Sequence, residues 1–344
     1  MGRRQKDHHR QPGTRQAQTL NIAARWAGQL WELLRPVGRP DVPAGLTAGV
    51  LIVVPLLVAA ALGRTSLGAA ITLSATLMLY PSPYPLPRLM LVRGTAVTAA
   101  GVFVRLVAEQ PWLLAAGVTA AAVAGAFWPI LSTTGALACL FIGIMADPGV
   151  GVPGLAQLIG AAWAALAVLL LGRLSVSVPP SLSSLATRAR HAGRLGLLVG
   201  ASMSIMALSG MRSSGGHWLV TAVLITLRPM TPEGMTIRYA QRMLGGTVGS
   251  AIAALILIGH PSTLVTAFCV GAAGALAHTY RAANYTYWSI WMPVMVLLLA
   301  DFGHPEPWTA SVIRLAMNFA GGLAAIAAVR YLWPDPPEPG SASF

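Results

Sequence analysis

Two arginines stand first among the residues that could do chemistry. Arg93 opens the run Arg93-Gly94-Thr95, and Arg242 leads into Gly246-Thr247 and Gly249. A guanidinium binds a carboxylate through a planar fork of donors and keeps its charge at any cellular pH. The neighbouring Gly246 permits close backbone approach, and Thr95 and Thr247 each offer a hydroxyl. Both arginines sit at the same end of an apolar segment, so the pair would gather anions. The competing reading is that they snorkel to fix topology, with small residues beside them for helix packing. Arg314 lies near the far end of the last apolar segment. It fits an exit site for an anion, or an ion pair with Asp301 or Glu306. Trp218 belongs to an aromatic set with Trp288 and Trp291, suited to stacking on a flat substrate or to an interfacial belt. Asp147, Asp301 and His217 are the groups that could couple a proton to transport. Asp147 and Asp301 stand beside turn-forming Pro and Gly, which favours a structural role, and His217 reads as an interfacial hydrogen-bonding residue.

Enzyme signatures do not emerge. No Walker loop, no metal-spaced His/Glu motif and no nucleophile elbow occurs, so no enzyme activity, cofactor or metal is expected. Cys139 and Cys269 fall singly inside apolar runs, outside any metal or redox motif.

The segments carrying these residues are membrane-like. Of 344 residues, 55% are hydrophobic and 10% charged, against about 25% charged in soluble domains. The apolar residues come in blocks near bilayer length. The net charge of +13 raises nucleic acid as a partner, but eight of the 23 basic residues fall in the first 43 positions and the rest lie between apolar blocks. That is topology-setting charge rather than a basic face.

Residues 1–18 read as a disordered basic tail, and 19–43 as an interfacial amphipathic helix with a proline-rich lead-in. The apolar blocks predict an all-α integral membrane protein with spans near 44–62, 66–80, 90–108, 111–128, 131–146 and 153–173. A cytoplasmic linker follows at 175–192. Further spans fall near 193–209, 216–228, 240–258, 262–279, 284–300 and 309–333, and a tail at 335–344. The blocks at 66–80 and 216–228 are short, so the count is twelve or ten. With the N-terminus in the cytoplasm, twelve spans put nineteen Lys and Arg inside and four outside, which supports that orientation and cytoplasmic termini. No cleavable signal peptide is expected.

The blocks 44–174 and 193–334 echo each other. Gly94-Thr95 is matched by Gly246-Thr247, Ala146-Asp147 by Ala300-Asp301, and Arg173 with Pro179-Pro180 by Arg330 with Pro336-Pro337. Six spans per block gives two parallel repeats, an arrangement that places a transport path at the repeat interface.

The stretch from His217 onward carries a resemblance. It reads His217-Trp218-Leu219-Val220-Thr221, then Arg228-Pro229, then Arg242-Met-Leu-Gly-Gly246-Thr247-Val-Gly249, Tyr287-Trp288, Ala300-Asp301-Phe302-Gly303, Arg314, Gly321-Gly322 and Leu332-Trp333-Pro334. This resembles the fusaric acid resistance and aromatic acid exporter family over about 217–334, and more loosely over 43–174. The resemblance implies a secondary transporter, an exporter or facilitator of small organic anions such as aromatic carboxylates, in an inner membrane. Many family members carry a large cytoplasmic domain between the halves, where this chain has a short linker. A passive anion channel and a non-transporting scaffold for envelope assembly are the alternatives. The expected partners are the anion and the lipid bilayer, with no nucleic acid; a homo-oligomer or a separate cytoplasmic partner stays open.

Overall fold

The structure, a computed structural model, describes residues 28, 31–79, 86–107, 109–145, 154–171, 184–209, 215–228, 232–302 and 309–332. Twelve α-helices occur among them: α1 Val42–Ala61, α2 Thr65–Met78, α3 Leu86–Leu106, α4 Pro111–Phe127, α5 Thr134–Met145, α6 Leu155–Leu171, α7 Leu185–Leu208, α8 His217–Thr226, α9 Pro232–Ile258, α10 Thr263–Tyr280, α11 Tyr285–Asp301 and α12 Thr309–Ala327. A π-helical turn, Ala328–Leu332, closes α12. The expected tails at 1–18 and 335–344, Asp147, and most of the expected interfacial helix lie outside the described residues.

The helix starts follow capping chemistry. Asp41 Oδ1 accepts from Ala44 N at 3.1 Å and Pro43 sits in the first turn of α1. Ser184 caps α7 and Ser262 caps α10 in the same way. Asn284 Oδ1 accepts from Thr286 N at 2.7 Å at the start of α11. Pro55 interrupts α1 without breaking it. A proline has no N–H for the carbonyl four residues back, here that of Leu51, and Trp163 Nε1 of α6 donates to that oxygen at 2.9 Å.

Six helices (α1, α3, α7, α9, α10 and α12) are long and apolar enough to cross a membrane. The other six have 10–17 residues. At 1.5 Å per residue, the ten residues of α8 rise only ~15 Å, half the hydrocarbon core. Large apolar side chains cover the outside: Leu91, Leu169 and Leu255 are each more than two-thirds exposed, a surface suited to lipid and not to water. The protein is a multi-pass helical membrane protein.

Helices pair across the sequence in a regular way. α2 packs on α6 and α8 on α12; α3 packs on α5 and α6, and α9 on α11 and α12; α4 packs on α5, and α10 on α11. The first helix of each set crosses over, α1 onto α10 and α7 onto α4. Small residues set the closeness of these pairs. A Cβ on Gly245 would stand 2.6 Å from both Ser289 Cβ and the Thr286 carbonyl, and one on Gly249 would meet the Ile290 carbonyl. These two glycines press α9 onto α11.

Residues 33–41 form a strap over the turn between α10 and α11. Asn284 Nδ2 donates to the carbonyls of Leu33 and Arg35 at 2.9 and 2.8 Å, and Thr286 Oγ1 to Leu33 O at 2.7 Å. Tyr287 Oη donates to Leu34 O, and Val37 N and Asp41 N reach Ala283 O and Thr279 O. The strap thus ties down the end of α11, which carries one wall of the cavity described next.

Candidate functional site

A cavity of about 60 Å³ lies between α8, α9, α11 and α12, and Leu137 and Phe141 of α5 also line it. Its depth follows from the helices. Thr221, Gly246 and Met292 line it, and each stands close to the midpoint of its own helix. The cavity therefore sits near the middle of the bundle.

Two guanidiniums enter it. Arg242 and Arg314 are 8% and 7% exposed, and both line the cavity. Asn318, one turn beyond Arg314 on α12, links the Arg242 side chain to the Arg314 backbone. Its Oδ1 accepts from Nε of Arg242 at 3.2 Å and from an amino group of the same side chain, and its Nδ2 donates to Arg314 O at 2.8 Å. The Arg314 guanidinium lies 4.3 Å from the centre of the Trp218 ring, a cation–π contact. Trp218 in turn meets Phe141 edge-on, with ring centres 5.8 Å apart. No carboxylate of the described residues lines the cavity. Burying two like charges without a counter-charge is costly.

The remaining polar groups compound that imbalance. Arg314 Nη1, Trp288 Nε1 and Ser289 Oγ are buried with no hydrogen-bond partner. Arg314, Trp288 and Ser289 all line the cavity. Two of these three atoms can only donate. A buried donor without an acceptor costs about 1–3 kcal/mol. The wall is thus mostly apolar with donors and positive charge at its polar centre, an arrangement that can hold a group bearing acceptor oxygens. Pro293, also on the wall, supplies no N–H to the Ser289 carbonyl, so α11 carries an interrupted hydrogen-bond ladder at mid-depth. Around the polar centre, Trp218, Trp288, Phe141 and Met292 supply apolar surface.

The structure distributes the expected site residues unevenly. Arg242, Gly246, Arg314 and Trp218 meet at this cavity, and a Cβ on Gly246 would meet open space. His217 stands beside Trp218, ring centres 4.5 Å apart. Arg93 is elsewhere: it is 1% exposed, and its Nε and Nη1 donate to the carbonyls of Ile130 and Met78 at 3.2 and 3.3 Å. Thr95 and Thr247 are exposed and turn their hydroxyls back to Leu91 O and Met243 O, each at 2.8 Å. Asp301 is the last residue of α11. Asn318 and Ser289 were not singled out for a site by the sequence, and Trp288 was named only within the aromatic set. The spacing Arg314-x-x-x-Asn318 does carry the signal, because residues four apart share a helix face and an Asn inside an apolar span needs a partner.

Two buried arginines and several unpartnered donors thus belong to residues that line one cavity between α8, α9, α11 and α12. Residues 198–328 match the family model described as fusaric acid resistance protein-like. The cavity lies almost wholly within the matched segment. The chain is 27% identical over 146 residues to "Uncharacterized protein ORF2" of Neisseria gonorrhoeae, covering 42% of this chain and 34% of that protein. It is 25% identical over 146 residues to an uncharacterized protein of Haemophilus influenzae, covering 42% of this chain and 20% of that one. The chain thus spans about a third of the first of these relatives and a fifth of the second. No solved structure matches it.

Proposed function

We propose that this protein is an exporter or facilitator of small organic anions, aromatic carboxylates among them, and that the anion passes through the Arg242–Arg314 cavity. The observation that carries the reading is one cavity near the bundle centre lined by two buried arginines and by Trp288 and Ser289, whose indole N–H and hydroxyl, with Arg314 Nη1, have no hydrogen-bond partner. A carboxylate would accept from Arg314 Nη1 and the Arg242 fork, with Trp288 Nε1 and Ser289 Oγ completing its shell. Trp218, Trp288 and Phe141 would flank an aromatic ring. The cavity volume of about 60 Å³ suits a carboxylate head, since one water needs roughly 10–15 Å³. A whole aromatic acid needs Phe141 or the Trp288 wall to move, as alternating access requires.

The same reading takes the chain as twelve crossings in two six-helix repeats. The helix pairings support it: replacing α1–α6 by α7–α12 reproduces the main contacts within and between the halves. In an inner membrane with both termini cytoplasmic, the N-terminal end of α9 faces the cytoplasm and the positive charge falls on the expected side. One observation favours a passive channel as the second reading. No Asp or Glu among the described residues lines the cavity, and proton-coupled carriers commonly place a carboxylate there.

Binding tests the site. Purified protein is heated with increasing 4-hydroxybenzoate. Stabilisation that saturates, and that Arg314→Gln removes, is the expected result. Equal stabilisation of Arg314→Gln, or none in the natural protein for hydroxybenzoate and a panel of small carboxylates, would overturn the assignment.

A further inference from the structure

Gly245, Gly246 and Gly249 stand close together on α9. Two of them have a packing reason. A Cβ on Gly245 would stand 2.6 Å from Ser289 Cβ and from the Thr286 carbonyl. One on Gly249 would meet the Ile290 carbonyl and come within 3.2 Å of Pro293 Cβ. Gly246 has no such reason, since a Cβ there would find no atom within 4 Å. Nor does it face lipid. Arg242, Gly245, Gly249, Ser250 and Ala253 are buried on its side of α9, while Thr247 and Val248 are exposed. Gly246 is half-buried on this otherwise buried side, and it lines the Arg242–Arg314 cavity. A glycine inside a helix is less stable than an alanine. The missing methyl therefore costs stability, relieves no contact, and leaves room in the cavity.

That room has a fixed width. The contacts at Gly245 and Gly249 set the spacing of α9 and α11 on either side of Gly246, and close-packed atoms of this kind yield little. Arg242 stands one turn, about 5.4 Å, before Gly246 on the same face. Long helical side chains lean toward the N-terminal end, so Arg242 leans away from Gly246 and leaves the room clear. Trp288 and Met292 of α11 line the same space.

We propose that Gly246 is the specificity-determining residue of this cavity: the organic part of the anion lies against the bare backbone at Gly246, and the size of the side chain at 246 sets the largest anion that binds. The inference rests on the anion-transport reading above, and it adds where the rest of the anion goes once its carboxylate is held. A carbon placed at 246 takes its volume from the ligand, because the α9–α11 spacing does not widen to return it. An anion with almost nothing behind its carboxylate does not reach Gly246 and is indifferent to the residue there.

The test is thermal unfolding of the full chain with increasing acetate or 4-hydroxybenzoate, which yields a dissociation constant for each. The natural protein is compared with Gly246→Ala and Gly246→Val, and with Val248→Ala on the exposed side as a control. Without anion, Gly246→Ala should melt at or above the natural temperature. It should bind acetate as the natural protein does and 4-hydroxybenzoate about 10-fold or more weakly, the effect of one surplus carbon in a pocket. Gly246→Val should lose 4-hydroxybenzoate and keep acetate, and Val248→Ala should bind both normally. An unchanged ratio of the two constants in the Gly246 variants, whether both hold or both weaken, would overturn the role of Gly246 and leave the cavity as an anion site. So would a Gly246→Ala protein that fails to fold, because its methyl would then be meeting protein where the structure has open space. Should neither anion stabilise the natural protein, the anion-site reading falls and this inference with it.

Discussion

Replacing Arg242 by Gln separates binding from folding, and its effect can be worked from the contacts. In the free protein Arg242 gives Asn318 two donors, through Nε and an amino group. An uncharged Gln amide can supply one donor to the same oxygen, so Asn318 need not be orphaned. The substitution also removes one of two buried like charges facing a cavity without a described carboxylate, which relieves repulsion and desolvation. These terms oppose each other, and the stability of the free protein should change by less than about 1 kcal/mol, within the usual size of one net hydrogen bond. The anion has no such compensation. Losing a hydrogen bond to a charged group costs about 1.5–3 kcal/mol, or about 10- to 150-fold in affinity. At an anion concentration of 100 times the natural dissociation constant, binding stabilises the natural protein by about 2.7 kcal/mol; a variant binding about 100-fold more weakly gains only about 0.4 kcal/mol. Thermal unfolding with and without anion reads both quantities on one sample. A variant that is unchanged alone and unresponsive to anion is the expected result. A variant that still gains the full stabilisation would refute the role of Arg242, and one that collapses without anion would show its charge to be structural.

Other expectations follow from single contacts. Gly246→Leu projects into open cavity space; it should insert and fold but lose flux, whereas Gly249→Ala meets the Ile290 carbonyl and should lower the melting temperature. Trp163→Phe removes the donor to the Leu51 carbonyl that Pro55 leaves open; unfolding in denaturant should show a loss of about 1–3 kcal/mol. Asn284→Ala removes the α11 cap and two bonds to the strap; beyond the ~1 kcal/mol of a cap, limited proteolysis should cut faster near residues 33–41.

The elements were legible because hydrophobic blocks mark buried or lipid-facing helix whatever the tertiary arrangement. The block at 216–228 appears as α8, His217–Thr226, and that at 111–128 as α4, Pro111–Phe127. The starts of α7 and α9 were not legible. Both begin eight residues before their apolar runs, at Leu185 and Pro232, because polar turns extend the helix past the apolar stretch. Ser184 caps one of them, and Arg188, Arg190 and Arg238 ride on these added turns. The site was half legible. The Arg242 and Gly246 motif announced itself through spacing, but the pairing of Arg93 with Arg242 came from symmetry of sequence. The structure instead sets Arg242 beside Arg314 through Asn318, while Arg93 is taken up by the carbonyls of Ile130 and Met78. The Arg242–Asn318 contact joins residues 76 positions apart, and no local pattern encodes it. Ser289 was hidden for the same reason, and Trp288 stood out only as one aromatic among several: the approach of α9 to α11 at Gly245 makes them cavity wall.

The central claim is that an organic anion crosses through the Arg242–Arg314 cavity, and flux in liposomes tests it most directly. Purified protein is reconstituted, the membrane potential is clamped, and labelled 4-hydroxybenzoate is followed with and without a pH gradient. The account predicts saturable flux that follows the anion's own electrochemical gradient and is lost in the Arg242→Gln, Arg314→Gln double variant. Flux no greater than that of empty liposomes, for hydroxybenzoate and a panel of small carboxylates, or natural flux in the double variant, would contradict it.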